Sequence, residues 1–325
     1  MGLFKKGFLM RRLLLIPLLA GLVLLPACKR TPEHARVDAA LAPLLPGDTV
    51  ALACLRLDRL KGSPFYTKYV TGKRIKALDE FSQKTGLDLR ENVWELVFST
   101  NGKTSYVFIR GKFGGDFGFE PEFKGPGLQK TSYKGRYLIF TGDHGVVFMN
   151  TGAAVAGEVK DLKALVDGFD NPARGTPQAV LDLAGTLPGT AQFWAASTRP
   201  AALIPVGDGG PAMKGGEAMQ NNLMRAAQSV SQVKLWGDLS HGLEMHVQGV
   251  AANEKDATAL RDAFQAGVGM ARLTMKDKQP EMLKLYDGLI GTTDGPIVRI
   301  DVNEPFELLD SFLSKLQIAQ GAGAN

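Results

Sequence analysis

The chain has 325 residues, of which 45% are hydrophobic and 22% charged, a composition that excludes general disorder and supplies enough apolar material for real cores. Its formal net charge of +5 invites a nucleic-acid reading, but the first 27 residues hold four of the 38 Lys and Arg and none of the 33 Asp and Glu. The rest is nearly neutral, at 34 against 33, so the basic pI belongs to a leader segment and nucleic acid is not expected as a partner.

That leader carries Lys5, Lys6, Arg11 and Arg12, then the apolar run from Leu13 to Leu25, then small residues. This is the three-part plan of a secretory signal, with a run too short for a comfortable membrane span of roughly 20 residues. The run ends in Leu25-Pro26-Ala27-Cys28. This tetrapeptide resembles the lipobox of bacterial lipoproteins. The resemblance implies cleavage before Cys28, a lipid on its thiol, palmitate among the acyl chains, and an extracytoplasmic place in the cell envelope. Lys29 in place of Asp favours the outer membrane if the organism is Gram-negative. Ordinary secretion fits less well, because Leu25 breaks the A-x-A pattern.

Residues 28–46, with Pro32, Pro43 and Pro46, read as a lipid-anchored tether. The run Thr49–Leu57 then opens the body as a strand, and Cys54 within it has no partner for a disulfide once Cys28 is acylated, so a core position is expected.

A helix is predicted from about Pro64 to Lys84, divided at Gly72 and stopped at Gly86. Arg59, Lys61, Lys68, Lys73, Arg74 and Lys76 make this the concentrated basic stretch of the mature chain, with no acid between Arg59 and Leu78. Its functional reading is an anionic-surface patch, and its plain reading is a solvated helix face. Two strands follow, about 94–100 and 104–112, joined at Asn101-Gly102. The loop 113–127 carries Phe113, Phe117, Phe119 and Phe123, expected to fold back onto the sheet.

A hairpin over 137–150 and a helix across 155–168 come next. A similar unit recurs at 233–250 and 253–271, with turn glycines offset by 97 and helix residues by 95, which suggests duplication. The second helix is the most regular in the chain. Ala257, Leu260, Phe264, Val268 and Ala271 form its apolar stripe and Asn253 caps it. Val298, Ile300 and Val302 alternate as a strand, and a last helix carries Phe306, Leu309, Phe312, Leu313 and Leu316.

Reading strand (191–196), helix (217–229), strand, strand, helix, strand gives the order of a ferredoxin-like βαββαβ unit. The expected fold is therefore α+β, with two related halves whose antiparallel sheets carry helices on one face. Its parts are a signal peptide at 1–27, the tether at 28–46, a first half at 47–170, a linker at 171–190, a second half at 191–316 and a frayed tail at 317–325.

No catalytic constellation assembles. Ser231-x-x-Lys234, Ser99-x-Asn101 and Lys84-Thr-Gly86 match penicillin-binding elements in reversed order and without the helix that should open at the serine. The glycine-rich 207–216 stretch lacks a phosphate-loop ending. His34, His144, His241 and His246 form no metal pair at helix spacing, so neither metal nor cofactor is expected. Glu120 and Glu122 flank Pro121 with nothing to tune either. Met213, Met219 and Met224 on the expected 217–229 segment suggest an adaptable apolar groove, with core filling as the plain alternative.

The body also resembles uncharacterised bacterial lipoproteins that share the Leu57-Asp-Arg-Leu60 strand end and the Thr85-Gly-Leu-Asp-Leu-Arg90 segment. That resemblance implies no activity. The expected function is a lipid-anchored envelope protein acting by binding, as an adaptor, an assembly factor or a binder of apolar ligand. Its partners would be the membrane through Cys28 and an envelope protein or apolar molecule. The alternative is a hydrolase of envelope material.

Overall fold

A computed structural model describes residues 34–75, 78–80, 83, 88–114, 127–169, 171, 175–203, 225, 228–276 and 280–321. Twelve strands form one sheet: β1 (Ala51–Arg56), β2 (Val93–Thr100), β3 (Ser105–Gly111), β4 (Gln129–Tyr133), β5 (Arg136–Thr141), β6 (His144–Asn150), β7 (Ala153–Glu158), β8 (Phe193–Ser197), β9 (Val230–Asp238), β10 (Gly242–Ala251), β11 (Leu289–Asp294) and β12 (Ile297–Pro305). The longer helices are α1 (Val159–Gly168), α2 (Gln178–Ala184), α3 (Glu254–Lys276) and α4 (Phe306–Gly321). Helical turns at Leu57–Leu60, Pro64–Tyr69 and Leu89–Asn92 lie near the start of the chain.

The spatial order is β11-β12-β10-β9-β8-β1-β2-β3-β7-β6-β5-β4. All neighbours pair antiparallel. The α+β class therefore holds, but the ferredoxin-like expectation is not met. A split βαβ unit needs parallel partners joined by crossovers, whereas β8-β9-β10 is a plain meander. Counted outward from the β1·β8 pair, both halves run as a three-strand meander, then the last strand of the half, then the one before it. The matching strands are thus β6-β7 and β11-β12, not the two hairpins whose glycines align in sequence.

Residues directly opposite in a ladder share a face. One such row crosses the whole sheet: Thr131, Leu138, Val147, Val155, Phe108, Val97, Cys54, Trp194, Trp236, His246, Asp301 and Ile290. From Leu138 through Trp194 it is buried, and α1 with Leu162, Leu165 and Val166 and α2 with Val180, Leu183 and Ala184 belong to the same core cluster. From Trp236 outward the row turns polar and half-exposed, ending at an exposed Ile290. Cys54 is buried within this core, and that burial raises its thiol pKa well above the ordinary value.

The reverse face behaves the other way round. Its row includes Ile139, Val146, Ala156, Val107, Phe98, Ala53, Ala195, Leu235, Val247, Ile300 and Gly291. α3 lies here, with Phe264 against Gly291. Helices therefore cover opposite faces in the two halves, which corrects the expectation of one helical face. At the other end of this face a smaller cluster forms around Val93, Ile109, Phe113, Ile139, Phe148 and Ala154. Phe113 folds back as expected, meeting Phe148 edge-on at 5.5 Å, while Phe117, Phe119 and Phe123 lie outside the described residues.

Two stretches read as connectors belong to the core. From His34 on, the expected tether is packed. Ala35, Val37, Leu41, Leu44 and Leu45 are buried, the Ala35 amide donates to the Leu187 carbonyl at 2.9 Å, and His34 bridges to Pro188. The expected linker contains α2 and buries Leu187. Hydrophobic content decides both cases, since each stretch carries an apolar face that its prolines and glycines obscure. The helix expected from Val155 likewise begins at Val159, because Ala153–Glu158 is drawn between β3 and β6 as β7.

Glu95, only 2% exposed, fixes the incoming segment. Its Oε1 accepts the Asp38 amide at 3.1 Å and its Oε2 lies 3.4 Å from Arg56 Nε. Burial nevertheless raises its pKa, outweighing the Asp38 amide and the Arg56 charge.

Candidate functional site

α3 begins well supported. Asn253 Oδ1 accepts the Asp256 amide at 2.9 Å and Asn253 Nδ2 donates to Asp256 Oδ2 at 2.8 Å, satisfying one of the orphan donors of a helix start. Ala257 is buried, and Leu260, Phe264 and Val268 carry the stripe on at half burial. The Phe264 ring stands 2.9 Å from where a Cβ at position 291 would lie, so Gly291 has to lack one. Gln265 Nε2 donates to the Gly291 carbonyl at 3.2 Å. Because β11 is an edge strand, this contact uses one of its acceptors.

α3 packs also on the helical turn at Pro280–Tyr286, and its far end runs past β11. Its 23 residues run about 34 Å, against about 20 Å for six-residue β11. Met270 and Leu273, off the sheet-facing stripe, are each 71% exposed, and Ile290 on β11 is 54% exposed. Between helix and strand lies a cavity of about 390 Å³ lined by Phe264, Val268, Gly269, Tyr286, Leu289 and Ile290, with Arg272 paired to Asp287 at its margin. Its volume suits a small ligand, and its walls are mixed, with Phe264, Val268 and Leu289 on the apolar side and Gln265, Arg272 and Asp287 on the polar side. Beyond Asp287, Gly288 packs on Glu304, whose Oε1 is buried with no partner among the described residues and whose pKa burial raises.

The open face of the second half carries a different cluster. His246 Nδ1 lies 2.6 Å from Asp301 Oδ1 and Nε2 lies 3.1 Å from Glu244 Oε1. The ring stacks on Trp236 at 5.1 Å and 24°. Burial opposes the imidazolium, but the Asp301 and Glu244 hydrogen bonds outweigh it and raise the pKa. With both ring nitrogens occupied, His246 has none free to take a substrate proton. The carboxylates sit at opposite ring edges and converge on no point, and among the described residues no group of three or more His, Cys, Asp or Glu is placed to hold a metal.

The expected sites fall out as follows. Arg59 donates to the carbonyls of Gly189 and Ala191, and Lys61 Nζ to the Val93 carbonyl at 3.0 Å. Lys68 pairs with Asp310 at 2.5 Å. Lys73 and Arg74 are exposed, and Lys76 lies outside the described residues. Cys28, the Met213, Met219 and Met224 groove, the Glu120 and Glu122 pair and Lys84–Gly86 also lie outside them. Ser231 sits in β9 with its hydroxyl on the Val250 carbonyl, and Lys234 Nζ reaches Thr186 Oγ1 at 3.1 Å.

No family model matches the sequence, and no curated protein does. Among solved structures, the chain is similar to TP0453 in crystal forms I, III and IV. The identity is 10% in each case and the TM-scores are 0.46, 0.45 and 0.41. These matches cover 85, 84 and 84% of this chain and 96, 97 and 96% of that one. Likeness at this level transfers no residue role. No described helix is long and apolar enough to cross a membrane, which says nothing of strands.

The expected Met213, Met219 and Met224 groove lies outside the described residues, the α3–β11 groove was not foreseen in the sequence, and His246 was read there only as a histidine without a metal partner. The usable signal was Gly291 on β11, where the Phe264 ring of α3 leaves no room for a Cβ.

Proposed function

We propose that this chain is a lipid-anchored protein of the bacterial cell envelope, held by acyl chains on Cys28, that acts by binding an apolar ligand between α3 and β11 and not by catalysis. The observation that carries the reading is the groove itself. Its floor is half-buried Phe264, Val268 and Leu289, and exposed Ile290 stands at its rim. Burying a side chain of that size is worth about 1.5–3 kcal/mol, so a ligand covering this rim gains what folding has left unused. The lipobox-like Leu25–Cys28 supports the address.

Titration of the full chain with a fluorescent apolar probe such as N-phenylnaphthylamine tests it. Saturable binding is expected, displaced by a long-chain fatty acid. Val268→Lys should weaken it at least about tenfold, or about 1.4 kcal/mol, with little change in thermal midpoint. Unchanged affinity in that variant rejects the groove, and turnover of an ester probe would favour the hydrolase alternative.

A further inference from the structure

The body begins sooner after Cys28 than a tether would allow. His34 bridges to Pro188 and the Ala35 amide is bonded to Leu187, so only residues 29–33 separate the proposed lipid site from a fixed point of the fold. Whatever path they take, covalent geometry caps the reach from Cys28 to His34 at about 20 Å.

The fixed point lies on one rim of the sheet. Arg59 holds the carbonyls of Gly189 and Ala191, directly beyond Pro188. Lys61 caps the start of β2 through the Val93 carbonyl, and Arg90 Nη2 bonds the Lys73 carbonyl at 3.1 Å. The basic segment is therefore stitched along the rim where β1 ends and β2 and β8 begin.

Carbonyl partners leave the charges of Arg59 and Lys61 uncancelled, and Lys73 and Arg74 are exposed. Nearby acids are mostly engaged: Asp58 by Arg56, Asp79 and Asp88 by Arg90, and Asp310 by Lys68. Glu80 and Glu91 are the other exposed acids of this stretch. Lys29 and Arg30 in the leash add the same sign.

We infer that this rim, with Arg59, Lys61, Lys73 and Arg74, is a docking surface for anionic lipid headgroups, and that the short leash holds it there. The inference rests on acylation of Cys28. Length decides the orientation. The eight residues of β2 span about 26 Å. A body turned over onto the opposite rim would thus lift His34 beyond the leash. One acyl-anchored terminus plus a basic surface is the combination that makes membrane attachment stable, each cation near an anionic surface contributing about fivefold, or about 1 kcal/mol.

The test uses the full acylated chain on phosphatidylcholine vesicles with and without phosphatidylglycerol, with a fluorophore on Thr71→Cys at this rim or Lys103→Cys in the β2–β3 turn opposite. Buried Cys54 and blocked Cys28 leave the new thiol selectively reactive. Headgroup-borne quenchers should quench the Thr71→Cys label roughly threefold more than the Lys103→Cys label when phosphatidylglycerol is present. The ratio should fall toward unity on Lys73→Glu with Arg74→Glu, and on doubling the leash with Gly and Ser before His34, while circular dichroism is unchanged. Equal quenching with Cys28 shown by mass spectrometry to be acylated overturns the orientation alone. An unmodified Cys28 overturns the anchor and the orientation with it.

Discussion

The two halves of the sheet spend their hydrophobic residues differently. In the first, one face of β1–β3 and β5–β7 is closed by α1, α2 and the 34–45 segment into a core where Phe108, Val97, Val155, Leu162 and Val180 are almost wholly buried. In the second, α3 sits on the reverse face, Leu260, Phe264 and Val268 are half-buried, and apolar side chains remain outside. A face sealed on itself stabilises; a face left partly open is available to something else. Each half also buries one glutamate among its described residues. Glu95 is supplied with partners, whereas Glu304 Oε1 has none among the described residues.

The largest expected effect separates the cores. Phe108→Ala should cost about 3–5 kcal/mol in urea denaturation, and Phe264→Ala about half of that or less, because its site is already partly open. Equal losses would break the contrast between the halves.

The two glutamates should respond in opposite directions. Glu95→Ala removes the acceptors of the Asp38 amide and of Arg56 together and is expected to cost about 1.5–3 kcal/mol. Glu304→Gln relieves a buried, unpartnered carboxylate and should be neutral or stabilising by up to about 1 kcal/mol near neutral pH. Both carboxyls have raised folded-state pKa values. Their contribution is therefore full below the ordinary glutamate value of about 4.3 and declines as pH rises through the folded value. Glu304→Gln should flatten that decline. A steep loss of stability in this variant would mean that Glu304 is paired in solution.

The smallest effect concerns the open face. His246 has a raised pKa, so its contribution is complete below about 6.5 and fades as pH rises through the folded value. His246→Gln should remove that slope from the thermal midpoint while leaving probe binding on the reverse face intact. A changed probe affinity would show that the two faces communicate.

Local pattern made part of this legible. The β2–β3 hairpin falls where Asn101-Gly102 places it, with Gly102 at a φ of 89°. The Asn253 cap and stripe located α3, and alternation located β12. What escaped was set by distant partners. Ala153, Ala154 and Val155 are all fully buried, so β7 shows no alternation and its alanines mimic helix. β4, Gln129–Tyr133, is an exposed polar edge that reads as loop. The 34–45 and 178–184 stretches look like connectors until the sheet they cover exists. The groove was illegible for a related reason. The stripe of α3 announces a core face, but only the shortness of β11 reveals that the helix runs past that strand.

The pairing of β1 with β8 carries a consequence for how the chain reaches its fold. Ser197 Oγ donates to the Val50 carbonyl at 3.2 Å across 147 residues, and the ladder itself, from Ala51↔Ser197 to Leu55↔Phe193, joins residues about as distant. Contacts of such long range form late, since the intervening chain must close first. β1 emerges early and finds β2 nearby, yet its other side stays unpaired until β8 arrives. For that interval the nascent protein presents Ala51–Leu55 as a bare apolar edge, a template for mispairing. Refolding yield should therefore be limited by aggregation at this one edge.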